Sequence, residues 1–226
     1  MIQMEKALIY KEWKKTQWFV LGIAGLGLAL LTYIFLKMGR SFRFAGMEHL
    51  WDVIVNRQQF VFRDLKYFPL AAGICLGFAQ YVPEMIQKRI KLTLHLPMEE
   101  WRIITLMLVY GASLLLAVFV CHVGAVYVFA SLYFPAEFIV SMLTTVLPWY
   151  MSGLIAYAFI AMLCLEPTWK RRIFIALVAA ATIQGCYISD FPGAYTPVLL
   201  AAVCIPLFVL PFAFLSVYRF KQGKQD

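Results

Sequence analysis

The sequence predicts an all-α, polytopic membrane protein: a six-helix transmembrane bundle with an N-terminal amphipathic interfacial helix and both termini cytoplasmic. Three observations predict it. Of 226 residues, 63% are hydrophobic and only 14% are charged, with a mean hydropathy of +0.78; a soluble domain carries about 25% charged residues. Six apolar runs, at 17–36, 67–83, 103–134, 138–165, 173–188 and 197–218, approach or exceed the roughly 20 residues that a helix needs to cross a bilayer core of about 30 Å. The third observation is where the cations fall. With the N-terminus inside, the inside segments hold Lys6, Lys11, Lys14 and Lys15, then Lys88, Arg89, Lys91 and Arg102, then Lys170, Arg171 and Arg172, and last Arg219, Lys221 and Lys224. Cytoplasmic segments are the ones enriched in lysine and arginine. The expected location is the cytoplasmic (inner) membrane, with 1–226 as one transmembrane domain.

Taken in order, residues 1–16 are polar and amphipathic, and the apolar run behind them ends at Lys37 with no small-residue cleavage site, so they read as a retained anchor. Ile2, Ile9 and Trp13, spaced 7 and 4 apart, give the segment an apolar stripe beside Lys11, Glu12, Lys14 and Lys15. The first crossing follows at 17–36, where Gly22, Gly25 and Gly27 allow close helix packing. Lys37 and the loop at 38–66 hold the remaining cations, with Arg40, Arg43, Arg57, Arg63 and Lys66 in the loop, which also carries a short amphipathic helix around Leu50 and Ile54. Glu48, His49 and Asp52 share one helix turn there, with no Cys and no second ligand set, which makes a solvated face and not a metal site.

The second and fifth crossings, 67–83 and 173–188, are short and recruit flanking polar residues such as Gln80 and Gln184. Between the second and third lies 84–101. Glu84, Lys88, Lys91 and His95 follow one another at spacings of 4, 3 and 4 on one helix face, and Ile86, Ile90 and Leu94 recur every four residues on another. Pro97 ends this amphipathic helix, and Glu99 and Glu100 open the next, where negative charge suits the positive end of the helix dipole. Read from the residues alone, the stretch is either a linker that meets lipid headgroups or a handle for a soluble partner.

In the remaining crossings, 103–134, 138–165 and 197–218, polar groups are few. His122 and Gln184 are the possible pathway residues; a hydrogen bond to a neighbouring helix is the plainer role for His122. No other crossing holds a histidine, so a bis-histidine haem is not expected. Pro148, Pro206 and Pro211 kink their helices. The five cysteines lie in or at the ends of apolar runs, with no CxxC pair, as small buried hydrophobes do. The net charge of +8 reflects topology and attraction to anionic headgroups, and no basic run has the exposed interleaved aromatics that nucleic-acid binding needs.

Six crossings, an N-terminal amphipathic helix, Glu84 after the second crossing and the segment RIKLTLHLPMEEW together resemble the permease subunits of ABC-2-type exporters. The resemblance implies that 84–101 is a coupling helix seated on a separate ABC ATPase subunit through Glu84, Lys88, Arg89, Lys91, Thr93, His95, Pro97, Glu99 and Glu100. It further implies that Lys11, Glu12, Trp13, Lys14 and Lys15 lie on a connecting helix beside that ATPase, and that two such bundles pair as a homodimer or a heterodimer. The family commonly has a Gly-Thr pair where this chain has Lys91, Leu92 and Thr93, and a small hydroxyl residue where it has Met98 and Glu99. The sequence holds no GxxxxGK[ST], so ATP and Mg are expected on the partner and no cofactor on this chain. Nor are GxSxG or HExxH present, which leaves no enzyme motif. The alternatives of this size are a six-helix ligand-binding subunit of a vitamin importer, which docks through small residues of its first crossing, and a non-transporting assembly or haem-handling subunit.

Overall fold

The computed structural model describes residues 2–55, 62–86, 93, 98–189, 194–195, 197, 204–205, 209, 216 and 219. The described residues form helices and no strands: α1 (Ile2–Val55), a 3-10 turn at Arg63–Leu65, α2 (Phe68–Ile86), α3 (Glu100–Ser131), α4 (Ala136–Leu165) and α5 (Trp169–Gly185). Short connections reverse the chain between α3 and α4 and between α4 and α5, and the helices alternate in direction. Three of them, α1, α3 and α4, are long and apolar enough to cross a membrane, which points to a membrane protein. The expected second and fifth crossings are helices of 19 and 17 residues. Most of the expected sixth crossing, 197–218, lies outside the described residues.

The interfacial helix, first crossing and loop helix expected as separate pieces run together as one helix of 54 residues. No proline interrupts 2–55 and no capping motif divides it. At about 1.5 Å per residue, α1 is about 80 Å long, well beyond the roughly 40–45 Å of a whole bilayer. The other helices are bounded by local chemistry. Pro135 precedes α4, and the backbone turns extended at Glu166, ahead of Pro167, to end it. Pro83 is tolerated within the last turn of α2, and Pro148 within α4.

The core is centred on α4. In its membrane-length window 67% of residues are buried, against 28% in α1 and 39% in α3, so α4 is the helix the others surround. It packs most closely on α2, where both backbones lack side chains. A Cβ on Gly73 would strike the Gly153 backbone, and one on Gly153 would strike the Pro69 carbonyl and the Phe119 ring. Gly77 meets Ile160 in the same way, one helix turn along. Gly73 and Gly77 thus form a GxxxG contact that lets the helices approach closely enough for dispersion to hold them without a hydrophobic drive. The glycines of the first crossing divide differently from expectation. Gly22 and Gly25 face open space, and only Gly27 is a packing notch, occupied by His122 and Phe68. Likewise Cys75 and Cys121 lie on exposed faces and only Cys186 is fully buried, since period-3.6 positions within an apolar helix include the outer face as well as the core.

Candidate functional site

Charge is concentrated where the first turns of α1 meet the last turn of α2. Glu84 and Glu12 are each 1% exposed or less, and two lysines neutralise them. Lys15 Nζ donates to Glu84 Oε1 at 3.1 Å and to Glu12 Oε1 at 2.9 Å. Lys11 Nζ lies 3.0 Å from the same Glu84 oxygen and donates to Thr93 Oγ1 at 3.0 Å. Spacings of 3 and 4 make Glu12 and Lys11 each a neighbour of Lys15 on the α1 surface, and Pro83 and Glu84 close α2 against it. Burial opposes ionisation of Glu84, but the ammonium groups of Lys15 and Lys11 outweigh it and hold the carboxyl below its ordinary value of 4.5. Glu84 Oε2 is buried and accepts no hydrogen bond from the described residues.

A polar network continues inward from this junction. Thr16 donates to the Glu12 carbonyl at 2.9 Å and meets the Tyr110 hydroxyl of α3 at 3.1 Å. Deeper in, Gln80 donates through Nε2 to the Met107 carbonyl at 2.8 Å, while its Oε1 accepts from the Tyr157 hydroxyl at 2.8 Å, which itself lies 3.2 Å from that of Tyr81. Gly111 makes room for it, because a Cβ there would collide with the Tyr157 hydroxyl and the Gln80 amide. The Gln80 side chain thereby joins α2, α3 and α4 just below the charges. At the same end, Glu166 is fully buried after α4, where it accepts from Thr168 Oγ1 at 2.9 Å and Ser216 Oγ at 2.8 Å and pairs with Arg219 at 3.3 Å.

The expected site residues divide into three groups. Glu84, Thr93, Lys11, Glu12 and Lys15 come together, although four of the five turn away from solvent: Glu84 and Glu12 are interior, Thr93 is 6% exposed and Lys15 only 12%, while Lys11 at 35% is half-exposed. The N-terminal stripe is turned accordingly. Leu8, Glu12 and Thr16 face the protein, while Ile9, Trp13 and Lys14 face outward. Glu99 and Glu100 stand apart at the start of α3; exposed Glu99 accepts from Trp101 Nε1 at 2.7 Å and pairs with Arg102 at 3.0 Å. Lys88, Arg89, Lys91, His95 and Pro97 lie outside the described residues, and so do the side chains of Glu48, His49 and Asp52.

The two possible pathway residues have different settings. Gln184 is exposed on α5. His122 is 3% exposed, stacked on Phe68 with ring centroids 5.0 Å apart and seated over Gly27, and neither ring nitrogen has a hydrogen-bond partner among the described residues. The expected hydrogen bond to a neighbouring helix is replaced by ring stacking, since the surfaces facing the imidazole are Phe68 and a glycine. Among the described residues no three His, Cys, Asp or Glu side chains gather as a metal site.

No protein-family model, curated protein or solved structure matches this chain. The site therefore stands on its own geometry. The roles of Gln80, Tyr157 and Glu166 were missed by sequence reasoning. Gln80 and Tyr157 had a usable signal in their rarity as polar groups within apolar runs, and the Gly73–Gly77 contact had one in its GxxxG spacing. Chemically, the described residues of the junction present no nucleophile or acid-base pair open to a substrate. It is a neutral, four-charge fastening of two helices and the segment that follows Glu84.

Proposed function

We propose that this chain is the membrane-spanning permease subunit of an ATP-driven exporter of ABC-2 type. In this reading it is a six-crossing bundle of the cytoplasmic membrane with both termini inside, paired with a second copy or a similar subunit. ATP and Mg are bound and ATP is hydrolysed by a separate ATPase subunit, and segment 84–101 carries the motion of that subunit to the bundle. The observation that supports it is Lys11 bridging Glu84 and Thr93. Through that one ammonium, the N-terminal helix, the end of α2 and the segment between α2 and α3 are joined, and a push on the segment reaches α1 and α2 at once. Glu84 acts in this scheme as an internal strut, and the exposed contact with the ATPase falls to Lys88, Arg89 and Lys91.

The test is purification of the tagged chain from its native membranes in mild detergent. A nucleotide-binding ATPase in stoichiometric amount is expected, with ATP turnover in the complex, and Lys88→Glu/Arg89→Glu/Lys91→Glu should abolish its retention while membrane insertion persists. A chain that is recovered without an ATPase, or that retains it undiminished in the triple variant, overturns the reading.

A further inference from the structure

At the end of the bundle remote from Glu84, α1 continues past its apolar run and presents Lys37, Arg40 and Arg43 at intervals of three residues. With 3.6 residues per turn, each step rotates by about 60° around the axis, so the three cations line one side of the helix. Tyr33, Leu36 and Phe44 complete an open recess of about 570 Å³ with them. Lys37 Nζ is tied to Asp64 at 2.6 Å. Arg40 and Arg43 have no acidic partner among the described residues.

The depth of the recess matters as much as its charge. Arg40 and Arg43 lie about 6 and 10 Å along the axis beyond Leu36, and the headgroup layer of a bilayer is about 5–7 Å thick on each side. Side chains on a helix lean toward its N-terminus, which here is the direction of the hydrocarbon, so both guanidiniums reach back to phosphate level. Tyr33 and Leu36, each more than half exposed, continue the surface into the apolar zone. A guanidinium takes phosphate oxygens in pairs, and the two guanidiniums, beside a Lys37 already paired with Asp64, repel the ammonium of a zwitterionic headgroup. We propose that the recess of Lys37, Arg40 and Arg43 binds the phosphate of an anionic phospholipid, whose acyl chains lie along Leu36 and Tyr33. This site is independent of whether the chain transports anything.

The test is native mass spectrometry of the full chain released from micelles containing equal phosphatidylglycerol and phosphatidylcholine. Preferential retention of phosphatidylglycerol is expected, and Arg40→Gln/Arg43→Gln should lower it by about tenfold or more, given two surface arginines. The thermal midpoint without lipid serves as the folding control, and phosphatidylglycerol should raise it in the wild type but not in the Arg40→Gln/Arg43→Gln variant. Lys170→Gln/Arg171→Gln removes the same charge from exposed positions of α5 and should leave retention unchanged. Equal losses in the two double variants, equal retention of the two lipids, or displacement of the lipid by an equal concentration of glycerol 3-phosphate would each overturn the proposal.

Discussion

The two ends of the bundle handle charge in opposite ways. At the Glu84 end, two carboxylates that water does not reach are balanced by two lysines within about hydrogen-bonding distance, and the pairing ties residues 69 to 82 positions apart in sequence. At the far end, the Lys37–Asp64 pair is tight at 2.6 Å, yet its side chains remain 52% and 37% exposed, and the helices there are joined by aromatic stacking, such as Phe35 on Phe129 at 3.8 Å. Distance alone therefore does not rank the two. Solvent does, because water screens the exposed pair and cannot replace a lost partner in the buried one.

The largest expected effect breaks the buried balance. Lys15→Leu leaves Glu12 and Glu84 with only the half-exposed Lys11, and should cost about 3–5 kcal/mol of unfolding free energy in mixed micelles. Lys15→Leu/Glu84→Leu restores neutrality and should recover most of that loss; a double variant as unstable as the sum of its single changes would deny the coupling. Next in size is Tyr187→Phe at the other end. Its hydroxyl meets Ser152 Oγ at 2.7 Å and donates to the Lys66 carbonyl at 3.2 Å, so the variant should lose about 1–2 kcal/mol. Smallest is Lys37→Gln/Asp64→Asn, whose coupling in a double-mutant cycle should be no more than about 1 kcal/mol and should shrink further in salt. A coupling there as large as at Lys15 would erase the contrast.

Acid should sharpen the same comparison. Since the folded carboxyl of Glu84 titrates below its ordinary 4.5, its contribution is complete above about that pH and is lost as pH falls through the lower folded value. The acid unfolding profile should therefore steepen below pH 4.5 in the wild type, and in the Lys15→Leu variant this loss should be smaller and complete at a higher pH. An identical acid limb in both would mean that Lys15 does not hold the carboxyl down.

Much of the architecture was legible because hydropathy depends on local sequence. The runs behind α1, α3 and α4 announce themselves by length, and Pro97 with Glu99 and Glu100 announces the start of α3. What faces what was not legible. Glu84 was assigned to a handle for a partner, and Lys11 and Lys15 to an interfacial helix of their own, since nothing local says that an acid at position 84 meets lysines at 11 and 15. The same limit hid the role of Gln80, which looked like a polar intruder that a short crossing must tolerate and is in fact a bridge among three helices. Continuity was hidden as well. Polar stretches on either side of an apolar run look like separate pieces, although a helix without proline or a cap has no physical reason to stop at the bilayer surface.

That continuity makes α1 a single two-armed rod. Gly27, its notch against His122 and Phe68, lies 16 residues, or about 24 Å, from Lys11 on one side and from Arg43 on the other. A stiff rod rocking about this midpoint is a balanced lever. A tilt of about 5° would move Lys11 and Arg43 in opposite directions by about 2 Å each, enough to stretch the ion pairs of Lys11, and spin labels at Lys6 and Arg40 would read the two displacements as opposed.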